Sequence, residues 1–261
     1  MNRSTGAPLT LPQDWDAFNR IARYFTQQYC PGSPTLYGTS LAGADSLSFA
    51  PEIFLRMLAY HGNVWDSHYR IALNSSANIN AFSSVFETCR YCEPDILNTT
   101  ISKTVRDFCQ GKTAMLITYT ERAPEITTAL TKNTIGAVGY SSVPGGIPLN
   151  IGWNLGVSPY TDKTELIYKY LDWLGASDIN NYLTILDGQT AHRAPYHKPE
   201  FLRLYPWMVY TEESFSYSRN RISPYKKNRL SIPQNKIDNL LYHTFFIDIL
   251  TYRKTLKTLC F

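Results

Sequence analysis

Apolar positions recur along this chain at two periods, and each predicts a different element. In residues 12–29, Trp15, Phe18, Ile21, Ala22 and Phe25 fall on one face at the 3.6-residue period, which predicts an amphipathic helix. Pro12 and Asp14 are its start signals, and the Pro-Gly-Ser-Pro run at 31–34 ends it. Residues 51–60 predict a second helix through Ile53, Phe54, Met57 and Leu58, halted at His61-Gly62. Two more are predicted over 75–89 and 102–109. Another is capped by Thr161 or Asp162 and stops at Gly175, with Leu166, Ile167, Tyr170, Leu171 and Leu174 on its face. Short helices follow over about 178–186, 201–204 and 211–217. The last runs from 234 to about 250 through Ile237, Leu240, Leu241, Phe245 and Leu250.

Other stretches lack the helical period and predict strands: 37–43, 112–120, 135–143 and 149–157. The second contains Ala-Met-Leu-Ile at 114–117, an almost unbroken apolar run that suits a strand buried on both faces. Strands alternating with helices predict an α/β protein with a largely parallel sheet. There is no internal repeat and no low-complexity tract.

Composition narrows this picture. The 261 residues are 44% apolar, enough to bury a core as one large domain or two small ones. Nineteen tyrosines and five tryptophans suit cores, and also wet clefts, because each ring carries a polar tip. The formal charge of +4 is too small to imply nucleic acid, and its basic excess in 201–261 reads as solvated surface. Five cysteines, Cys30, Cys89, Cys92, Cys109 and Cys260, leave at least one unpaired within the chain. Cys89 and Cys92 have CxxC spacing with no second ligand pair, too few for zinc. Beside Phe82, Val85 and Phe86 they read as a helix face. No metal and no cofactor is expected. The first residues lack the apolar core of a signal peptide, and no window approaches 18 apolar residues. Taken literally, that describes a cytosolic soluble protein.

Several motifs, in order, point elsewhere. Trp15-Asp-Ala-Phe18 resembles the T-W-(D/E)-(D/E)-(F/L) helix start of one family. Phe108-Cys-Gln-Gly-Lys-Thr-Ala-Met115 resembles its F-x-x-G-(K/E)-x-A-M signature, the most specific of the set. Pro144-Gly-Gly146 resembles its P-G-G crossing, and Gly152-Trp-Asn-Leu-Gly-Val-Ser158 its re-entry strand. Residues 188–196, with Arg193 in place, resemble its G-x-x-P-x-R-x-x-x-Y loop. Over essentially its whole length the chain resembles the extracellular solute-binding proteins of family 1, the sugar-binding receptors of ABC importers.

The resemblance implies a periplasmic binding protein-like (type II) fold: two α/β lobes around a cleft, joined by several crossings. It maps 1–143 to the second lobe, 144–195 to the crossing and a return segment of the first, and 196–261 to the helical end of the second. Members of the family carry more than 100 residues ahead of the Trp15 helix, including a signal peptide, usually a lipid-anchor cysteine, and most of the first lobe. We therefore expect a fragment or a decayed product, with most of the first lobe missing. The tail 251–261 also fits the family poorly. The intact member would be an extracellular or periplasmic lipoprotein and a monomer. It would bind a carbohydrate ligand, hand it to the membrane permease subunits of an ABC importer, and bind no nucleic acid.

Sugar binding needs aromatic rings for the C–H face and planar polar groups to bridge hydroxyls. The residues expected to supply them are Trp153, between Gly152 and Gly156, then Tyr119 at the end of a strand and Arg193 in the second crossing loop. Asp45, Ser46, Glu121, Asn154, Trp65 and Asp66 are further candidates. Two other functions stay open: a carbohydrate-active hydrolase, which would need two carboxylates at a defined separation that no motif singles out, and a remnant that binds nothing.

Overall fold

The computed structural model describes residues 10–68, 70–129, 138–152, 155–187, 189–218 and 234–243. Helix α1, Trp15–Tyr24, starts where Asp14 accepts the Ala17 N–H at 2.6 Å. Helix α2 is Ser46–Ala59, capped by Asp45, which accepts from the Ser48 N–H at 2.8 Å. The sequence places this start near Pro51; the Asp45 cap moves it back to Ser46, and Pro51 lies inside the helix. Helix α3, Ser76–Cys89, matches the predicted range and is capped by Ser75, and α4, Ile101–Cys109, follows its Thr100 cap.

Helices α2 and α3 make the main core, and α1 packs beside it through Trp15 and Phe18. Phe49, Ile53, Phe54 and Met57 of α2 pack with Ala81, Phe82 and Val85 of α3. A buried polar chain crosses it. Arg56 is fully buried, pairs with Glu52 at 2.8 Å and donates to Thr88 Oγ1 at 3.1 Å. Thr88 donates to Asn19 Oδ1 at 2.6 Å, and the guanidinium lies 3.8 Å over the Trp15 ring. Cys92 belongs to the same core and its thiol donates to the Thr88 carbonyl at 3.3 Å. Burial raises both thiols, Cys89 to about 12 and Cys92 well above its ordinary value, so neither is a reactive thiolate.

The F-x-x-G-K element is a helix stop. At the end of α4, Gly111 takes φ +70, its N–H bonds the Phe108 carbonyl at 2.9 Å, and the Lys112 N–H bonds the Asp107 carbonyl at 2.9 Å. That pair of bonds is a Schellman cap, whose left-handed residue favours glycine. Lys112 also reaches the Asp107 carboxylate at 3.0 Å and Lys103 reaches it at 2.6 Å, and Lys103 pairs with Glu93 as well.

The predicted strands are the main correction. Among the described residues no strand forms. Residues 37–43 and 113–119 are extended and run parallel. The Tyr37 N–H bonds the Lys112 carbonyl, and the Ala114 and Met115 N–H groups bond Tyr37 and Gly38, but the bridge stops after Tyr37 and Thr113. A ladder needs a partner along its length, and here 112–120 soon turns into a 3-10 turn, Thr120–Arg122, and then α5, Ala123–Ala129, a helix the sequence did not predict. Residues 138–143 are extended, while 135–137 lie outside the described residues.

The chain then passes through the Gly145–Gly146 turn and on to two helices, α6, Thr164–Leu174, and α7, Ser177–Asp187. Neither Thr161 nor Asp162 caps α6: its N-cap position is Lys163, with no side-chain cap bond. Gly175 ends it as predicted. A 3-10 turn, Ala194–His197, leads to α8, Pro199–Leu204, and α9, Met208–Tyr217. Their core is Tyr196, Phe201, Trp207 and Met208 with Ala123, against Tyr140. Helix α10, Gln234–Leu240, returns to α2: Ile237 joins the main core, and beyond the helix the Tyr242 hydroxyl donates to the Gly43 carbonyl at 2.7 Å. The predicted continuation to about 250 lies outside the described residues. Among the described residues, no helix is long and apolar enough to cross a membrane.

Candidate functional site

Two of the sequence motifs meet at the crossing turn. Gly145 and Gly146 take φ +83 and +68, conformations that suit glycine. The Gly145 N–H bonds the Gln13 carbonyl at 2.9 Å, at the foot of α1. A Cβ on Gly145 would stand 2.6 Å from the Ala59 Cβ and 3.7 Å from the Trp15 indole nitrogen. Trp15 is 1% exposed and makes an edge contact with Phe18. The tryptophan of the first motif is thus a buried wedge under the glycines of the third.

Beside this turn lies an open depression of about 220 Å³, walled by Ser142, Gly146 and Pro148 from the crossing and by Glu213, Ser214 and Tyr217 from α9. It offers an aromatic ring, a carboxylate and hydroxyls, the set a saccharide needs. Its volume falls below the ~300–1,000 Å³ of ordinary ligand pockets, which suits one wall of a cleft. A larger depression, about 310 Å³, is bounded by Asp162, Lys163, Glu165, Leu166 and Lys169. It has no aromatic wall, and its Lys169–Glu165 pair is mostly solvated, so we place the candidate site at the smaller one.

Sequence reasoning missed Glu213, Ser214 and Tyr217. A weak signal was present: Glu213 and Tyr217 stand at i and i+4 on a helix with little amphipathic bias, and so share a face.

None of the described site candidates singled out from sequence lines this depression. Tyr119 is half-buried at the end of the extended run, its carbonyl accepting from the Arg122 N–H at 3.0 Å, and Glu121 is exposed in the turn that follows. Arg193 is exposed at the head of the 194–197 turn, where its carbonyl accepts the Tyr196 N–H at 3.0 Å. Asp45 caps α2, and the Ser46 hydroxyl donates to Asn239 at 2.5 Å. Trp65 packs on the main core with its indole N–H buried and unpaired. Asp66 organises its own loop: it accepts from the backbone N–H groups of Arg70 and His68 and from the Arg70 guanidinium, and the Arg70 N–H first among these holds its carboxyl below the ordinary value. Trp153 and Asn154 lie outside the described residues. Among the described residues, no group of three His, Cys, Asp or Glu is placed to hold a metal ion.

Comparison with solved structures decides the architecture. A solute-binding protein of an ABC transporter from Agrobacterium radiobacter K84, in complex with ribitol, superposes with a TM-score of 0.77 at 17% identity. The match covers 96% of this chain and 63% of that one. The fold is that of the type II periplasmic binding proteins. The maltose-bound MalE3 of T. maritima matches equally, with a TM-score of 0.77, 18% identity and the same coverage. A solute-binding protein from Agrobacterium vitis S4 with bound D-mannitol gives 0.74 at 16% identity, over 98% of this chain and 65% of its own. The chain therefore spans just under two thirds of the binding-protein fold as these relatives show it. No protein-family model matches the chain, and no curated protein does.

Proposed function

We propose that this chain is the larger part of the substrate-binding component of a carbohydrate ABC importer, and not an enzyme. The observation that carries the reading is the likeness over 96% of the chain to solved ABC-transporter binding proteins that hold ribitol and maltose. The whole protein would capture a sugar or polyol outside the cytoplasm, as a monomer anchored by lipid, and deliver it to the permease; it would have no nucleic-acid partner.

The saccharide site lies along the crossing. Glu213, Ser214 and Tyr217 form one wall, and Trp153 supplies a stacking ring where the chain re-enters the first lobe. Tyr119, Glu121, Asn154 and Arg193 are proposed as further ligand contacts, and Asp45, Ser46, Trp65 and Asp66 as outer ones. Residues 1–143 and 196–261 belong to one lobe and 144–195 to the crossing and the other. Two packing facts support this division: Ile237 and Tyr242 join the core of α2 and α3, whereas 155–187 contribute to no apolar cluster among the described residues.

The test is calorimetry of the 261-residue chain against ribitol, D-mannitol, maltose and longer maltodextrins. With just under two thirds of the binding-protein fold spanned, binding weaker than about 0.1 mM is expected, or ~5.5 kcal/mol. Glu213→Gln and Tyr217→Ala should each weaken it further. Release of reducing sugar from an oligosaccharide would overturn the reading in favour of a hydrolase, and no interaction with any of these ligands would leave the chain a remnant.

A further inference from the structure

The CxxC pair, Cys89 and Cys92, takes no part in the candidate site, yet the end of α3 brings its two thiols onto one line. The helix tightens there. The Arg90 N–H bonds the Glu87 carbonyl at 3.1 Å, the Tyr91 N–H bonds the Thr88 carbonyl at 2.9 Å, and the Cys92 N–H bonds the Cys89 carbonyl at 3.4 Å. Three successive bonds to the carbonyl three residues back are the 3-10 pattern, in which side chains at i and i+3 eclipse. A rise of about 2 Å per residue sets the Cys89 and Cys92 Cα atoms roughly 6 Å apart. That lies within the ~4.4–6.8 Å that a disulfide spans.

Both side chains face the same apolar cluster. Cys92 is 5% exposed in the main core, and Cys89 packs half-buried against that core. Cys109 belongs to a separate cluster with Val105 and Ile126, and Cys30 to none of the four. Among the described residues, Cys89 and Cys92 are therefore the two thiols that share a core. The turn between them is also a junction. The Tyr91 carbonyl accepts the Gly38 and Thr39 N–H groups at 3.0 and 3.3 Å, which holds the start of the extended run 37–43 against the end of α3.

We propose that Cys89 and Cys92 form an intrachain disulfide when the chain folds under oxidising conditions, a staple that fixes the end of α3 to the 37–43 run. The oxidant is a small disulfide such as oxidised glutathione. One cysteine thiolate attacks it, leaving a mixed disulfide and releasing one thiol; the second cysteine attacks the mixed disulfide and releases the other. The Cys89–Cys92 S–S bond forms and the oxidant's S–S bond breaks. Two electrons pass to the oxidant, and the two cysteine protons end on the released thiols. Burial fixes the timing. In the folded chain it raises Cys89 to about 12 and Cys92 well above its ordinary value, so the attacking thiolate is scarce. In the unfolded chain a cysteine titrates at about 8.5. The oxidation state is set as the chain folds and is then kept. The proposal does not depend on sugar binding, and its test uses no sugar.

The test refolds the full, reduced chain with oxidised glutathione, alkylates the remaining thiols in denaturant, and digests with trypsin. Arg90 stands between the two cysteines, so cleavage after it yields peptides 71–90 and 91–103 with one cysteine each. The two should be recovered joined and unalkylated, and a reductant should part them. Amides of α2 and α3 should be as protected in the joined chain as in the chain folded with reductant. A chain folded with reductant and only then given the same oxidant should join the peptides at least about tenfold more slowly. Alkylation of both peptides after oxidative refolding overturns the proposal. So does pairing of Cys89 or Cys92 with Cys30, Cys109 or Cys260, or a joined chain that has lost protection in α2 and α3. Equal rates of joining in the folded and unfolded chains overturn the timing.

Discussion

Helices α3 and α6 are both amphipathic by sequence, yet they end in opposite conditions. Helix α3 buries Asn78, Ala81, Phe82, Ser84, Val85 and Thr88, and the Thr88 hydroxyl bonds both Asn19 Oδ1 and the Ser84 carbonyl. Helix α6 buries nothing. The difference lies in what each helix meets. Helix α3 lies against α2 and α1, whereas α6 meets chiefly α7 and presents its outer stripe to water. An apolar stripe is only a capacity for burial, and stability comes when a second element covers it.

The largest expected effect breaks the packed side of this contrast. Phe82 is 1% exposed in the main core, so Phe82→Ala should cost about 3–5 kcal/mol in urea unfolding. A loss below ~1 kcal/mol would show that this core contributes no more than the exposed return segment.

Arg56→Met comes next. It leaves Glu52 without its cation and Thr88 without a donor in a core that excludes water. Breaking a buried pair costs about 3–5 kcal/mol, discounted here because the Glu52 carboxylate keeps some solvent, so ~2–3 is expected. Replacing Glu52 and Arg56 together by Gln and Met should recover part of that loss, since neither charge is then stranded. A double replacement costlier than Arg56→Met would show that the pair is net stabilising.

Gly145→Ala strikes the joint between the two regions. A Cβ there sits at φ +83 and 2.6 Å from the Ala59 Cβ, so a loss of ~1–3 kcal/mol is expected. Gly146→Ala has the same backbone strain with open space around it, and should cost the smaller amount. Equal losses would mean that contact with α2 is immaterial.

The Asp107 cluster gives a smaller, pH-dependent effect. Burial works to raise the Asp107 carboxyl, but hydrogen bonds from Lys103 and Lys112 hold it below its ordinary value. A lowered folded value means its contribution is full above about pH 4 and is lost as pH falls through the folded value. Lys103 is the reverse: burial works to lower it, but Asp107 and Glu93 raise it, so its contribution is present below ~10.4 and fades as pH rises through the raised value. Asp107→Asn should flatten the acid limb of stability by ~0.5–1 kcal/mol; an unchanged limb would remove Asp107 from the account.

Helix positions were legible to within a residue or two because caps and periodicity are local: Asp14 starts α1 as read, and the ranges 75–89 and 102–109 begin one residue off the observed starts at Ser76 and Ile101. The strands were not, because an apolar run such as 114–117 becomes a strand only beside a partner, and here the only bridge is at Thr113 and the bonds to 37–38 end at Met115 among the described residues. The family motifs were legible as patterns but not as roles. Gly111 closes a helix, Trp15 lies beneath a turn, and Gly145 crosses between segments; all three are architectural. The wall of the candidate site was hidden for a related reason. Glu213 and Tyr217 carry no motif, and only the crossing at 142–148 brings Ser142 and Pro148 beside them.

The smallest expected effect falls on the uncovered side. Trp173 is 53% exposed and touches chiefly Tyr170, so Trp173→Ala should change the stability of this chain by no more than ~0.5 kcal/mol. Set beside Phe82→Ala, the same kind of truncation of an aromatic on an amphipathic helix then differs several-fold in cost, and the difference is how far each side chain is covered. If Trp173→Ala already costs as much as Phe82→Ala in the chain alone, α6 is packed in solution and the contrast between the two regions is wrong.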